Sequence, residues 1–486
     1  MRWRHDAQVM IDLLRAGLAS VLLTAVAGCA SLQEPAPADL PTGTVPTAWQ
    51  APAPAGEPAR VAATSPWQDF ADPALAVLVA QALAQGTDVA AAQARLRQAR
   101  AARDLSAAGL RPSVGGSASA RSSWVEGARR SESWQAGMDA SWEVDLWGGG
   151  QAGVRAAEAT LQASALSLAQ TRLVVAAEVA ATLIDLRTAQ ARQAIAARNL
   201  ASQQQTLQIV QWRAEAGLVT ALDVAQARTA VDQTRAQLPA LGASAQQALH
   251  ALAVLTGQPP AALQATLGAP ASPVVQPLAA TTPALAVPAE VLRRRPDVQA
   301  AERQLAAAAA RVDQADAARL PSLNLGGSIG LSALSLGALG PGAGVASLLA
   351  SVNLPVLDFG RVQAQVRQQE AARDEAATAY RATVLGALQD VEDSLVALGA
   401  TGAQLQAQQA AATSAREAAT LADQRYRSGL VDFATVLQSQ RTQLSAEDAV
   451  AATRGTLATA QVRLIKALGG GWSPDAPQDS EPLAAR

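Results

Sequence analysis

The chain has 486 residues, 50% of them apolar yet only 3% aromatic, and a formal charge of −2. Its basic residues are scattered among Asp and Glu, which leaves no electrostatic footprint for nucleic acid. The single cysteine, Cys29, excludes an internal disulfide and a cysteine-based metal cluster. Alanine supplies most of the apolar content, which suits long, closely spaced helices more than a compact core of large side chains.

Arg2 and Arg4 precede an apolar run through Leu13, Leu18 and Leu23 that ends at Val26-Ala27-Gly28-Cys29. This is the plan of a secretory signal, and it predicts a signal peptide over 1–28. Small residues directly before a lone cysteine resemble a bacterial lipobox, in which Cys29 is acylated and becomes the first residue. An ordinary signal with an incidental cysteine is the alternative. In the lipobox reading Ala30, where Asp would retain the protein at the inner membrane, implies the outer membrane. Residues 29–73 carry Pro35, Pro37, Pro41, Pro46, Pro52, Pro54, Pro58 and Pro66 and read as a lipid-anchored, extended tether. No later run reaches the roughly 18 apolar residues of a membrane helix.

A first unit covers 74–256. Helical pattern begins near Pro73, a proline suited to a first turn, and runs to about Gly109. A weakly alternating strand follows over 112–124, with its turn at Glu126 to Ser131. A stronger strand spans 133–146, where Trp134, Met138 and Trp142 alternate with Gln135, Asp139, Glu143 and Asp145. No proline then occurs before Pro239, so 148–215 reads as one helix of roughly 100 Å at about 1.5 Å per residue. It ends at Gly217-Leu218-Val219-Thr220, where glycine supplies a left-handed residue and Thr220 a cap for a helix over 219–256. Pro239 predicts a kink in that helix.

An irregular connector occupies 257–288, and a second unit covers 289–468. Pro296 and Asp297 suit a helix start. Strands over 321–333 and 345–357 flank the glycine-rich stretch Gly337 to Gly344, which reads as a hairpin tip rather than a phosphate cradle. A long helix over 360–428, the turn Gly429-Leu430-Val431-Asp432, a helix over 431–468 and a tail over 469–486 complete the chain. Val384, Leu388, Val391, Leu395, Leu398, Gly402 and Leu405 form a heptad seam, with Val179, Leu183 and Leu186 at matching places in the first long helix.

The two units are copies. Gly148 to Gly217 and Gly360 to Gly429 are both 69 positions apart, and Asp88, Leu96 and Pro112 recur 209 positions later as Asp297, Leu305 and Pro321. Tandem duplication of this kind gives four strands and long coiled-coil helices in one elongated protomer. Strands of about ten residues match a membrane β-barrel, but four cannot close, and an open edge is not tolerated in lipid. Two chains would give eight strands and a filled interior, whereas three give twelve and a lumen. The expectation is mainly α with a membrane β-barrel: a homotrimer with a 12-stranded β-barrel and twelve helical columns. Trp134 and Trp142 then face lipid, and Asp139, Glu143 and Asp145 face water.

The lipobox, Arg294-Arg295-Pro296-Asp297-Val298 and Arg425-Tyr426-Arg427-Ser428-Gly429-Leu430-Val431-Asp432 resemble the outer-membrane factor family, the TolC-like exit ducts of tripartite efflux pumps, in its lipoprotein branch. The resemblance implies a trimer with a β-barrel in the outer membrane and a periplasmic α-barrel, together a passive duct for small molecules. It implies as partners a periplasmic adaptor (membrane fusion) protein and an inner-membrane pump of the resistance-nodulation-division type. It also places the closed aperture and the adaptor contact at Gly217, Leu218, Val219, Thr220, Gly429, Leu430, Val431 and Asp432. Asp432 either lines that aperture or only caps a helix; Thr220 stands at the equivalent position, so an acidic ring would hold one Asp per chain. A type I protein-secretion duct shares the architecture, and a structural periplasmic coiled-coil lipoprotein is the alternative of another class. No catalytic constellation, cofactor or metal site is expected, His5 lying in the signal and His250 standing alone.

Overall fold

The computed structural model describes residues 45–51, 67, 70–124, 126, 130–269, 278–279 and 287–470, all within one compact unit. The signal segment, Cys29, most of the tether and the tail beyond 470 lie outside the described residues.

Two helices, α1 (Pro73–Gln85) and α2 (Thr87–Ala108), occupy the place of the single one expected to Gly109. Between them Gly86 is extended, at φ −63° and ψ 135°. Repeat 2 divides in the same way into α6 (Pro288–Arg294) and α7 (Pro296–Ala317), with Arg295 extended between them. The break belongs to the duplicated unit, and in repeat 2 Pro296 stands just after it, where a missing N–H removes no helical bond.

The strands β1 (Ser113–Ser123), β2 (Ser131–Val144), β3 (Ser322–Ala333) and β4 (Gly344–Asn353) form one antiparallel sheet in chain order. β4 stops at Asn353 rather than 357, because Pro355 cannot donate to a ladder and no second strand holds Leu354 or Val356. Asp145 likewise lies beyond β2; its carboxylate accepts the N–H of Gln151 at 2.8 Å.

Two helices of 67 residues, α3 (Gly149–Glu215) and α8 (Arg361–Arg427), each begin after a left-handed glycine, Gly148 at φ 75° and Gly360 at φ 83°. Each is followed by a helix of 35 residues, α4 (Ala221–Leu255) and α9 (Phe433–Ala467). Pro239 lies inside α4, which continues across it to Leu255. A one-turn helix, α5 (Gln264–Leu267), opens the connector. The heptad seam is buried at Val384, Leu388, Val391, Leu395 and Leu405, as are Val179, Leu183 and Leu186 on α3.

The largest core joins Leu75 and Leu78 of α1 to Leu183, Ile184 and Leu186 of α3, Leu249 and Leu252 of α4, and Val462 of α9. Stretches of Pro73–Ala108 and of α3 are long and apolar enough by composition to cross a membrane. Here α3 packs on α2, α4, α7 and α9 instead. The described parts of the tether are seated on the helices. The N–H groups of Gln50 and Ala51 donate to the Glu392 carboxylate at 2.8 and 3.0 Å, and Trp49 packs beside Val391 and Leu388. Asp72 caps α1 through Ala74 N–H and pairs with the buried Arg187 at 2.8 Å.

Candidate functional site: a two-faced sheet and a pair of helical turns

Antiparallel register decides which side chains share a face of the sheet. Gly115, Asp139, Ser328 and Ser347 stand in one row, as do Ser119, Gln135 and Ser332. On the opposite face the rows are Val114, Ala140, Gly327 and Leu348, then Gly116, Met138, Ile329 and Ala346. Trp134 and Trp142 belong to the apolar face, Asp139 and Glu143 to the polar one. Hydroxyls pair along the polar face, Ser113 with Ser141 and Ser328 with Ser347, each at 2.8 Å. The apolar face is bare, with Leu348 90% exposed, an arrangement that needs a non-aqueous neighbour. Where the sheet meets the helices a concavity of about 1210 Å³ is lined by Glu143, Asp145, Trp147, Arg311, Gln314 and Arg361, among others.

At the far end of the long helices the two turns have the same construction. Gly217 and Gly429 are left-handed, at φ 71° and 72°. The next N–H reaches back to close a Schellman turn, Leu218 to Arg213 at 2.8 Å and Leu430 to Arg425 at 2.9 Å. Val219 and Val431 turn inward onto a shared cluster with Val210, Tyr426, Phe433 and Val436, while Leu218 and Leu430 point to solvent. The two turns are therefore one unit. Arg213 joins them, its guanidinium 4.5 Å from the Tyr426 ring centroid and donating to the Tyr426 and Arg427 carbonyls at 3.3 and 3.4 Å. A cation at carbonyls that end a helix also complements its dipole.

The caps correct the count of one acid per chain. Thr220 and Asp223 form a capping box, in which the Thr220 N–H donates to the Asp223 carboxylate at 2.8 Å and the Asp223 N–H to the Thr220 hydroxyl at 3.3 Å. In repeat 2 the pair is exchanged: Asp432 accepts the Thr435 N–H at 2.9 Å and the Thr435 hydroxyl at 2.5 Å. The hydroxyl and then the N–H of Thr435 hold the Asp432 carboxyl below the usual carboxylate range. Each chain thus brings two carboxylates to these turns. Asp223 was legible in the Thr-x-x-Asp spacing, whereas nothing local marks Arg213 as the link between turns. Cys29 lies outside the described residues, and among those residues no group of His, Cys, Asp and Glu is placed to hold a metal ion.

The profile of the family described as outer membrane efflux protein matches residues 78–258 and 287–470, the two repeats and little else. The chain belongs to the outer membrane efflux protein family. The pyoverdine export outer membrane protein OpmQ of Pseudomonas aeruginosa is 36% identical over 430 residues, covering 84% of this chain and 88% of that one. Outer membrane protein OprJ of the same organism is 34% identical over 390 residues, or 79% of this chain and 80% of OprJ. Among solved structures, the outer-membrane channel OprN superposes with a TM-score of 0.80 at 35% identity, over 88% of this chain and 98% of that one. The open-state MtrE channel of Neisseria gonorrhoeae gives 0.78 at 27% identity, over 88% and 96%. This family member is an outer-membrane efflux channel that extends into the periplasm, and the family is one of channels rather than of enzymes.

Proposed function

We propose that three copies close a twelve-stranded barrel with a helical tube beneath it, a passive duct that receives small molecules from an inner-membrane pump. The observation that carries this reading is the two-faced sheet with both edges unpaired, β1 on one side and β4 on the other. Such edges in lipid need closure by further chains, and twelve strands are the smallest multiple of four that leaves a lumen. The polar face of Ser, Gly, Asn and Asp then lines water, and the apolar face meets lipid. Acylation of Cys29 anchors the chain in the same membrane.

The joined turns at Gly217 to Thr220 and Gly429 to Asp432 are the closed aperture and the adaptor-docking end in this reading. Leu218 and Leu430, exposed at 72% and 74%, supply apolar contacts for a periplasmic adaptor, and Asp223 and Asp432 line the opening. The pump is of the resistance-nodulation-division type. Relatives of similar identity are named for unlike cargoes, pyoverdine in one and toluene in another. Cargo choice therefore lies with the pump, and the duct is permissive.

Light scattering of the detergent-extracted protein is expected to give a trimer, and planar lipid bilayers to register channel openings. A monomer that passes no ions overturns the proposal. Leu218→Arg with Leu430→Arg is expected to leave the trimer intact and abolish adaptor binding, and Asp432→Ala to change single-channel gating.

A further inference from the structure

Both repeats carry the same five residues ahead of their first long helix, Pro73-Ala74-Leu75-Ala76-Val77 and Pro283-Ala284-Leu285-Ala286-Val287. The next residue differs, Leu78 in the first copy and Pro288 in the second. In repeat 1 the helix runs through, and α1 covers Pro73–Gln85. A proline at that point of repeat 2 lacks the N–H of a helical ladder and clashes with the carbonyl four residues back. Helix α6 accordingly starts at Pro288 and has 7 residues against the 13 of α1. We propose that residues 45–51 of the tether cover the part of α8 that α6 is too short to reach, and that this dock is coupled to the lipid anchor. The stretch back to Cys29 has little length to spare, so tether length decides whether 45–51 stay seated.

Moving from α3 to α8 by 212 positions shows what the segment covers. Val179 and Leu183, in the core that α1 shares with α3, become Val391 and Leu395. In repeat 2 those side chains share a cluster with Val291 of α6 and with Ala51 and Trp49, while Val45 and Trp49 pack against Tyr380, Val384 and Leu388. Ala51 is buried, Val45 and Trp49 are half-buried, and Pro46, Thr47, Ala48 and Gln50 face water. One position changes chemistry. Ala180, 0% exposed, becomes Glu392, whose two carboxylate oxygens accept the N–H groups of Gln50 and Ala51 at 2.8 and 3.0 Å. A helix laid beside Ala180 satisfies its own N–H groups, whereas a non-helical segment needs acceptors from elsewhere. Glu392 supplies them where repeat 1 needs none.

The coupling follows from lengths. In the barrel reading the membrane edge lies where the sheet gives way to α8, at Gly360. Tyr380 and Leu388 stand 20 and 28 positions further on, roughly 30 and 42 Å along the helix at about 1.5 Å per residue. Cys29 and Val45 are 16 positions apart, with Pro35, Pro37 and Pro41 between them. A proline-rich chain of that length reaches about 50 Å at about 3.1 Å per residue, whereas a glycine- and serine-rich one would average only about 20–24 Å. Proline content thus makes the span attainable, with a surplus of only a few residues. On the other side of the dock Trp67 and Phe70 enter the core of repeat 1, so the tether is held by both copies.

The proposal rests on the barrel reading and on acylation of Cys29, and its test separates the three. Amide exchange at Gln50 and Ala51 is read by mass spectrometry in the full chain reconstituted in lipid vesicles, with acylation checked from the mass of the N-terminal peptide. Deleting Gln33–Thr42 leaves 6 of the 16 positions between Cys29 and Val45, at most about 22 Å of fully extended chain. In the acylated protein this deletion is expected to speed exchange at both amides roughly tenfold. The same deletion in a chain with Cys29→Ser, exported behind an ordinary cleaved signal, is expected to keep the parent rate, since nothing then holds the other end. Parent-like exchange in the shortened acylated chain overturns the coupling. Fast exchange in both shortened chains overturns it too, because the deletion itself is then the cause. A parent chain without an acyl group overturns the anchor reading, and a monomer by light scattering overturns the barrel reading, each taking the coupling with it. Glu392→Ala is expected to speed exchange at Gln50 and Ala51 with or without the acyl group, and Glu392→Gln, which keeps one acceptor oxygen, to speed it less. Parent rates in both variants remove Glu392 from the dock.

Discussion

Replacing Arg295 by Met tests how the second repeat is pinned together. The guanidinium holds Asp297 through two bonds of 2.7 and 3.0 Å, Asp390 at 3.0 Å, and the Ala467 and Ala387 carbonyls at 3.0 and 3.4 Å. Burial pulls its pKa down, but the hydrogen bonds and charges of Asp297 and Asp390 more than reverse this, so it stays protonated at every accessible pH. Breaking a fully buried pair costs about 3–5 kcal/mol. The Asp390 side chain is 58% exposed and regains water, and Asp297 keeps the Val298 N–H, so the expected cost is reduced to about 2–3 kcal/mol. That corresponds to roughly 30- to 150-fold faster amide exchange, at about 1.4 kcal/mol per tenfold. The effect should be confined to the last turn of α9 and the first turn of α7, and hydrogen–deuterium exchange with mass spectrometry reads it there. Arg295→Lys keeps the charge without the two-pronged contact and should fall between. Exchange in those turns within threefold of the parent would refute Arg295 as the pin.

Three further outcomes are expected. Gly429→Ala meets no atom within 4 Å but must hold φ near 72°, so it should cost about 1–2 kcal/mol by backbone strain alone, read as fraying of the last turn of α8 in exchange experiments. Gly330→Val drives a Cβ into the Ala136 carbonyl at 2.6 Å and should reduce the yield of trimer in outer-membrane fractions, whereas Gly116→Val, at a site open in the structure, should not. The depressed carboxyl of Asp432 stabilises its turn above the unfolded value of about 3.9 and loses that contribution as pH falls through the lower folded value. Protection of the Thr435 amide, corrected for intrinsic exchange, should therefore drop as the pH is taken below about 4, and Asp432→Asn should remove the dependence.

What was readable in the sequence is what depends on near neighbours. The long helices follow from absent proline, the faces of β2 and β3 from residue parity, and the turns from Gly217 and Gly429, each a matter of a few adjacent residues. The helix start at Pro296 was readable from the proline and the following Asp297, whereas the break at Gly86 was not, and neither were the anchors of Arg295, since Ala387 and Ala467 lie 92 and 172 positions away. Strand β4 ends at Asn353, short of its own pattern, for a different reason: the alternation continues through Leu354 and Val356, but within one chain no ladder partner meets them. The capping residues illustrate the limit of reading two copies position by position. Thr220 against Asp432 looks like loss of an acid. Seen with residues three places on, Thr220 with Asp223 and Asp432 with Thr435 are one hydroxyl and one carboxylate in exchanged order. A cap works as a pair, so either order satisfies the free N–H groups of the helix start. Both carboxylates lie over the first turn, Asp432 reaching the Thr435 N–H at 2.9 Å and Asp223 folding back to the Thr220 N–H at 2.8 Å. An opening lined by three chains would then carry six acids at its helix starts, two from each chain, rather than the three that Asp432 alone would supply.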